Sequence, residues 1–307
     1  MSVVLGIDIG GTHVRLGLVN KTYELTNFTQ LKTAAVFQSS DALIDLHQMI
    51  AHYLSEYGLG QEITAISIGF PSTIDKSENV VLSTPNIASL QQVNVVEGLT
   101  ERCQLPVYIN RDVNYLMSFD IHQQKLDPSG VLVGFYFGTG IGNVIFIAGQ
   151  PLRGKNGVAA ELGHVPVLGK DSLCTCGSIG CLENYASGRY LVNLAQQELN
   201  GVDVSKIFTT YGDHPKVLEF IENMAITVAL EVTLLDPEHL LLGGGILQMA
   251  GFPKVLLEER IKARTRKPYP SETLEVIYAK EGQENGVIGA GIYAYQQQVK
   301  TKGAKSI

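Results

Sequence analysis

Apolar and polar residues alternate from the start of the chain. Leu5, Ile7 and Ile9 alternate with Gly6 and Asp8, and beyond Gly10-Gly11 the residues Val14, Leu16 and Leu18 alternate again. A period of two predicts strands. The two runs therefore predict a hairpin closed by a Gly-Gly turn, where glycine accepts the positive φ that such turns demand. Residues 134–146 repeat the design: an apolar strand, the run Gly138-Thr139-Gly140-Ile141-Gly142, then a second apolar strand. Two such hairpins predict two related halves facing each other across a cleft. A third glycine cluster, Gly243-Gly244-Gly245, follows Leu240-Leu241-Leu242 and leads into a helical pattern.

Elsewhere the period changes. Leu43, Leu46, Ile50 and Leu54 share one helical face, with Ser39, Ser40 or Asp41 placed to cap it. Helical spacing also covers 93–102, 190–199, 217–235, 253–265 and 286–298. Strands are predicted over 63–69, 80–82, 107–109, 131–137, 143–148, 240–242 and 275–279. The alternation favours an α/β architecture. Ligands of such sheets gather beyond the carboxyl ends of strands, which draws attention to Phe70-Pro71-Ser72, Ser83-Thr84-Pro85-Asn86 and Asn110-Arg111-Asp112-Val113-Asn114.

Composition narrows the classes. The chain has 307 residues, 45% hydrophobic and 17% charged, as expected of one large or two moderate globular domains. A net charge of −7 argues against nucleic acid as a partner. No apolar run reaches the about 18 residues of a membrane span, and no basic-then-apolar leader precedes the first strand. The expected location is the cytoplasm, and no membrane partner is expected. The lysines of 300–305 read as a solvated end. In a reducing compartment four cysteines, three of them within 174–181, read as metal ligands before disulfides.

Those three have a partner. His164, Cys174, Cys176 and Cys181 follow H-x9-C-x-C-x4-C, and three thiolates with one imidazole make a closed tetrahedral set for structural Zn²⁺. The competing reading is reduced cysteines without metal. Cys103 stands apart in an apolar-flanked segment, as a buried free thiol would. Glu161 and Glu183 bracket the metal set, so a zinc clamp would preorganise both against a polyhydroxylated ligand; either alone could equally be a surface glutamate capping a turn. At the first hairpin, the backbone N–H groups of Gly10, Gly11 and Thr12 can receive phosphate, while Asp8 can hold Mg²⁺ through its water shell. Asp112 is the candidate general base, or a helix N-cap before Val113, or both. Asn86, Asn110, Arg111 and Asn114 could add polar contacts. Neither a P-loop nor a G-x-S-x-G elbow occurs, and the glycines of 138–142 are followed by a strand rather than the helix of a dinucleotide fold.

Together these motifs resemble the ROK family (repressors, open reading frames and kinases), of the actin-like ATPase and sugar kinase fold, an α/β fold of duplicated RNase H-like domains around a hinged cleft. The resemblance rests on Asp8-Ile9-Gly10-Gly11-Thr12, Thr84-Pro85-Asn86, Asp112-Val113-Asn114, the glycines of 138–142, Glu161-x-Gly163-His164, the Cys174 to Glu183 run and Gly243-Gly244-Gly245. It implies a small domain over 1–117 plus 284–307, and a larger one over 118–283 carrying the zinc site. It also implies transfer of the ATP γ-phosphate to a hexose 6-hydroxyl. Asp112 would be the base. Asn86, Arg111, Asp112, Glu161, His164 and Glu183 would bind sugar; Asp8, Gly10, Gly11, Thr12, Gly138, Thr139, Gly140, Gly142, Gly244 and Gly245 would bind ATP–Mg²⁺. A homodimer is implied as well.

The departures matter. Where the family's sugar kinases commonly show E-N-D, this chain has Asn110-Arg111-Asp112; its Gly-x-Pro-Gly loop reads Gly69-Phe70-Pro71-Ser72, and it has no Trp. Arg-Asp-Val-Asn, Gly-Phe-Pro and Ser-Thr-Pro-Asn look most like the family's D-allose kinase branch. Glucose, N-acetylmannosamine and another rare hexose stay open. Other classes weigh less. ROK repressors carry a helix-turn-helix before the first strand, a sensor with crippled catalysis would have little use for Asp8 and Asp112, and a cytoskeletal or chaperone ATPase none for the zinc set.

Overall fold

The computed structural model of the chain describes residues 2–84 and 87–304. Its contacts fall into two compact units, Met1–Lys125 with Arg153–Ala159 and Gly282–Ile307, and Leu126–Leu152 with Ala160–Glu281. They are of nearly equal length.

In the first unit β1 (Ser2–Ile9) and β2 (His13–Asn20) form the expected hairpin, with Ile7 opposite Leu16 and Ile9 opposite Val14. β3 (Leu25–Lys32) pairs with β2 on the outer side. A short α1 (Thr33–Val36) leads to α2 (Ala42–Tyr57), where the Asp41 carboxylate accepts from the N–H groups of Leu43 and Ile44. β4 (Glu62–Phe70) runs parallel to β1. Then β5 (Thr73–Ile74), β6 (Val80–Ser83) and β7 (Val93–Asn94) make a small antiparallel sheet. Residues 93 and 94, expected as the start of a helix, are its last strand; α3 (Val95–Cys103) begins after Asn94, whose side chain caps it. β8 (Val107–Arg111) joins β4 in parallel and passes directly into α4 (Asp112–Gln124).

The second unit repeats this plan. β9 (Val131–Phe137), β10 (Ile141–Ile147) and β11 (Gln150–Pro151) are antiparallel. After a long irregular stretch come α5 (Glu183–Ala186), α6 (Gly188–Gln197), α7 (Ile207–Tyr211) and α8 (Pro215–Leu235). β12 (His239–Gly243) is parallel to β9, α9 (Lys254–Arg264) follows, and β13 (Val276–Tyr278) is parallel to β12. The sheet orders are β3-β2-β1-β4-β8 and β11-β10-β9-β12-β13, with the same sequence of antiparallel and parallel neighbours. The two related halves read from the glycine hairpins are present as duplicated sheets. α10 (Asn285–Ala304) then returns the chain to the first unit.

Each central strand is buried on both faces, as parallel neighbours require. In the first unit Leu5, Ile7 and Ile9 pack with Leu46 and Ile50 of α2, while Val4 on the other face meets Ala294 and Tyr295 of α10. In the second, Val133, Phe135 and Phe137 pack with Phe220, Met224 and Val228 of α8. The helix expected straight after the third glycine cluster is instead a single 3₁₀ turn, Gly245–Gln248. No helix among the described residues is long and apolar enough to cross a membrane.

Candidate active site

The first glycine turn is held by its own backbone. Gly10 N–H donates to His13 O at 2.8 Å, the Thr33 hydroxyl donates to Gly10 O at 2.7 Å, and Thr33 N–H donates to Thr12 O at 2.9 Å. Gly11 and Thr12 stay exposed, within reach of an anion. Asp8, the next-to-last residue of β1, pairs with Arg15 at 3.3 Å. Burial pushes its carboxyl above the ordinary range and Arg15 pulls it back in part. Gly286, at the start of α10, leaves room for it: a Cβ there would lie 2.7 Å from the Asp8 Cγ. The N-terminus of a long helix thus ends beside the carboxylate proposed to hold Mg²⁺.

Asp112 sits at the carboxyl end of β8 as the first residue of α4. Its Oδ1 accepts from Val113 N–H at 2.7 Å, and the position before it, Arg111, carries the cap geometry without a side-chain bond. Asp112 is therefore inside the first turn rather than the cap itself, where the helix dipole favours its charge. The buried Asn110 braces this corner, its Oδ1 accepting from Arg111 N–H at 2.9 Å and from Asn114 Nδ2 at 2.6 Å. Its Nδ2 donates to Glu78 Oε1 at 3.0 Å. Arg153 binds the same Glu78 oxygen through Nε at 2.9 Å and Nη2 at 2.7 Å, and the Tyr293 hydroxyl donates to Oε2. Arg111 donates from Nη1 to Ala159 O at 3.1 Å. Glu78 and Arg111 together tie the 153–159 segment to the strand end that bears Asp112. The sequence does not single out Glu78, Arg153 or Tyr293, because the contacts that matter span 32, 75 and 215 positions. Asn86 lies outside the described residues.

In the second unit the Gly138–Gly142 turn is closed by Gly138 N–H on Gly140 O at 3.0 Å. The start of α6 braces it from below: Gly188 N–H donates to Gly138 O at 2.8 Å and Arg189 N–H to Thr139 O at 3.0 Å. Glu183 is the third brace. Its Oε2 accepts from Ile141 N–H at 2.9 Å and occupies the place a Cβ on Gly140 would need, 2.4 Å away. One carboxylate oxygen expected for sugar is thus engaged by the glycine turn. Thr139 is exposed at the tip. Of the third cluster, Gly243 and Gly244 are required by packing: a Cβ on Gly243 would lie 2.7 Å from the Ala279 Cβ, and Gly244, at φ +96°, would meet the Phe137 backbone at 2.4 Å. Beside Gly245 there is open space within 4 Å, so this glycine is the one a nucleotide could approach.

The metal set comes together as spaced. Ligand atoms of His164, Cys174, Cys176 and Cys181 all lie within 4.8 Å of one another. Cys174 Sγ is 3.5 Å from His164 Nδ1, and Cys176 Sγ is 3.7 Å from Cys181 Sγ. A tetrahedral ion bound at about 2.1–2.3 Å requires donor separations of roughly 3.5–3.8 Å, so the residues fit Zn²⁺. The Ser178 N–H draws the Cys176 thiol down to about 6, while burial and the neighbouring sulfurs push Cys181 up to about 12, so Cys176 is the readier of the two to meet a metal as thiolate. His164 turns Nδ1 to the sulfurs and Nε2 toward Glu161, 3.9 Å from its Oε2. A carboxylate near the far nitrogen is a common neighbour of a metallated imidazole, and here it stands at ion-pair rather than hydrogen-bond distance. Cys103 is half-buried, and burial raises its thiol.

Known proteins resemble this chain over nearly its whole length. A profile of the ROK family matches residues 4–297. The glucokinase of Streptomyces coelicolor is 27% identical over 315 residues, covering 94% of this chain and 96% of that one. The N-acetyl-D-glucosamine kinase of Pectobacterium atrosepticum is 28% identical over 307 residues, covering 94% and 97%. The crystal structure of a ROK family glucokinase from Streptomyces griseus in complex with glucose and AMPPNP matches with a TM-score of 0.74 at 26% identity, over 96% of this chain and 99% of that one.

Proposed function

The chain belongs to the ROK family, with its actin-like ATPase and sugar kinase fold, and from that membership we propose that it transfers the ATP γ-phosphate to the 6-hydroxyl of an aldohexose, D-allose being favoured. One observation carries the reading furthest: Asp112 opens α4 at the carboxyl end of β8, in the same unit as the Asp8 and Gly10-Gly11-Thr12 turn. Phosphoryl transfer asks little covalent help of a protein beyond a base, positioning and charge stabilisation. Asp112 takes the proton of the attacking hydroxyl. Gly11 and Thr12, with Thr139, Gly140, Gly142 and Gly245, line the approach of the nucleotide, while Gly10 and Gly138 spend their N–H groups closing the turns and contribute close backbone approach. Magnesium, near Asp8, would neutralise charge on the β- and γ-phosphates. Glu161, the Nε2 side of His164, and Glu183 offer acceptors and a donor for sugar hydroxyls, while zinc would hold their turn in place.

D-allose is favoured by the Arg111-Asp112-Val113-Asn114, Gly69-Phe70-Pro71 and Ser83-Thr84-Pro85-Asn86 motifs. Arg111 stands where the family commonly has Asn, which changes both the hydrogen-bond donors and the charge beside Asp112. Glucose and N-acetylated hexosamines are the second reading, because the relatives above are named for them. A coupled ATP assay over D-allose, D-glucose, D-mannose, N-acetylglucosamine and N-acetylmannosamine decides between them by kcat/KM. Asp112→Asn is expected to lower kcat by roughly 10²–10⁴ while sugar binding stays measurable; near-normal turnover would remove the base. The homodimer belongs to this reading too, and light scattering on the purified protein tests it.

A further inference from the structure

Glu231 lies four residues before the C-terminal end of α8 and is only 4% exposed. No cation offsets its burial among the described residues; burial pushes its carboxyl up to about 7, and the Asn143 amide is the group that pulls it back. An apolar residue would suit such a position better, so the acid asks for a reason beyond packing. Its partner gives one. Asn143, the third residue of β10, is fully buried, and its Nδ2 donates to Glu231 Oε2 at 2.7 Å and to Gly134 O at 3.3 Å. With both amide hydrogens spent, Asn143 must turn Oδ1 the other way, where it accepts from Leu162 N–H at 3.4 Å.

Leu162 opens the 3₁₀ turn Leu162–His164, and the first N–H groups of a helical turn have no partner within it. Leu162 stands between Glu161 and His164, the two partly exposed side chains offered to sugar. Gly163 fixes the same turn on the same strand, its Cβ position 3.3 Å from the Ile141 Cβ. We propose that Asn143 and Glu231 are a buried positioning pair: the Glu231 carboxyl sets the orientation of the Asn143 amide, and the amide oxygen anchors the turn that presents Glu161 and His164 to substrate. This rests on the sugar kinase reading above and deepens it. Neither residue touches a reacting atom. Their effect is to hold the turn in place before the sugar arrives, so that ordering it does not draw on binding energy.

The test separates positioning from packing. Glu231→Leu removes the acceptor and fills the site with an apolar group, and Asn143→Leu removes the anchor while keeping the branching and number of side-chain heavy atoms. Each is expected to raise KM for the best hexose about tenfold, with KM for ATP within twofold and zinc retained. Glu231→Gln keeps an acceptor oxygen and is expected to bring most of that tenfold back. Hydrogen exchange at the Leu162 amide, read on sugar-free protein, is expected to speed up at least tenfold in both leucine variants. A role in packing alone predicts the reverse for Glu231→Leu: a protein at least as heat-stable, with unchanged sugar KM. Unchanged KM, or unchanged Leu162 exchange, overturns the proposal, as does a joint rise of both KM values with loss of zinc. Should the wild type phosphorylate no hexose, the kinase reading falls and the exchange comparison alone decides the pairing.

Discussion

At the scale of single residues, Glu231 makes a claim about pH. Its carboxyl sits at about 7 in the fold against 4.5 for an unperturbed glutamate. Between those values the folded state holds more protons than the unfolded one, so stability falls as pH rises and the full cost is present above about 7. The difference is about 3 kcal/mol. Glu231→Gln cannot ionise, so the variant should gain on the wild type by roughly 6–12 °C in Tm between pH 4.5 and pH 8. A constant gap between the two across that range would show that the carboxyl is not held neutral. Glu78 is a different sort of acid, partly exposed. It is paired with Arg153 and receives Asn110 and Tyr293, so its charge is used to join four segments of the first unit.

At the scale of elements, the sequence announces what carries a period or a spacing. The β1–β2 hairpin, α2, α8 and the Cys₃His set all follow from patterns read without partners. β3 has no such pattern, because Leu25–Lys32 is an edge strand largely exposed on both faces, with Leu25, Phe28 and Leu31 three apart rather than alternating. The extent of α4 is hidden for the opposite reason: Asn114, Ser118 and Asp120 are buried along with Val113, Tyr115, Met117 and Phe119, so no polar face marks it. The glycines were legible as a group but not in their separate roles. Gly286 and Gly289 lie on α10 one turn apart, yet a Cβ on the first would press on the Asp8 carboxylate, and on the second would lie 2.0 Å from Tyr115 O of α4. Gly289→Ala should therefore cost about 1–3 kcal/mol of stability, the usual range for overpacking. Gly286→Ala should instead act on nucleotide use, raising KM for ATP more than KM for sugar; equal effects on both would deny Asp8 its place in the nucleotide site. The metal set makes a simpler prediction. Purified protein should hold about one zinc per chain and Cys176→Ser none, whereas Cys103→Ser, away from the cluster, should keep it. Metal content by mass spectrometry decides this, and zinc retained by Cys176→Ser would end the assignment.

At the scale of the whole molecule, the chain's path decides which parts can stand alone. Duplication gives two five-stranded sheets of one topology, but the first is not completed by its own half of the sequence. Its second face is covered by α4 and α10, and α10 arrives only after the entire second unit has been built. That helix buries Val287, Ile292, Tyr293 and Tyr295, and Gly6 approaches it so closely that a Cβ would lie 2.4 Å from Val287 O. At roughly 1.5–3 kcal/mol for each large apolar side chain, these four contribute on the order of 6–12 kcal/mol, as much as the whole net stability of an ordinary domain. A chain ended at Glu281 should therefore leave the first unit without a native core, while the second, which contains its own β9 to β13 and α8, keeps its packing. Limited proteolysis should cut the truncated protein throughout residues 2–125 and spare 160–281, and a separately supplied peptide of residues 282–304 should restore protection. If residues 2–125 resisted the protease without that helix, β1, β2 and β4 would have to bury their second face some other way, and the placing of Asp8 beside the start of α10 would lose its structural basis.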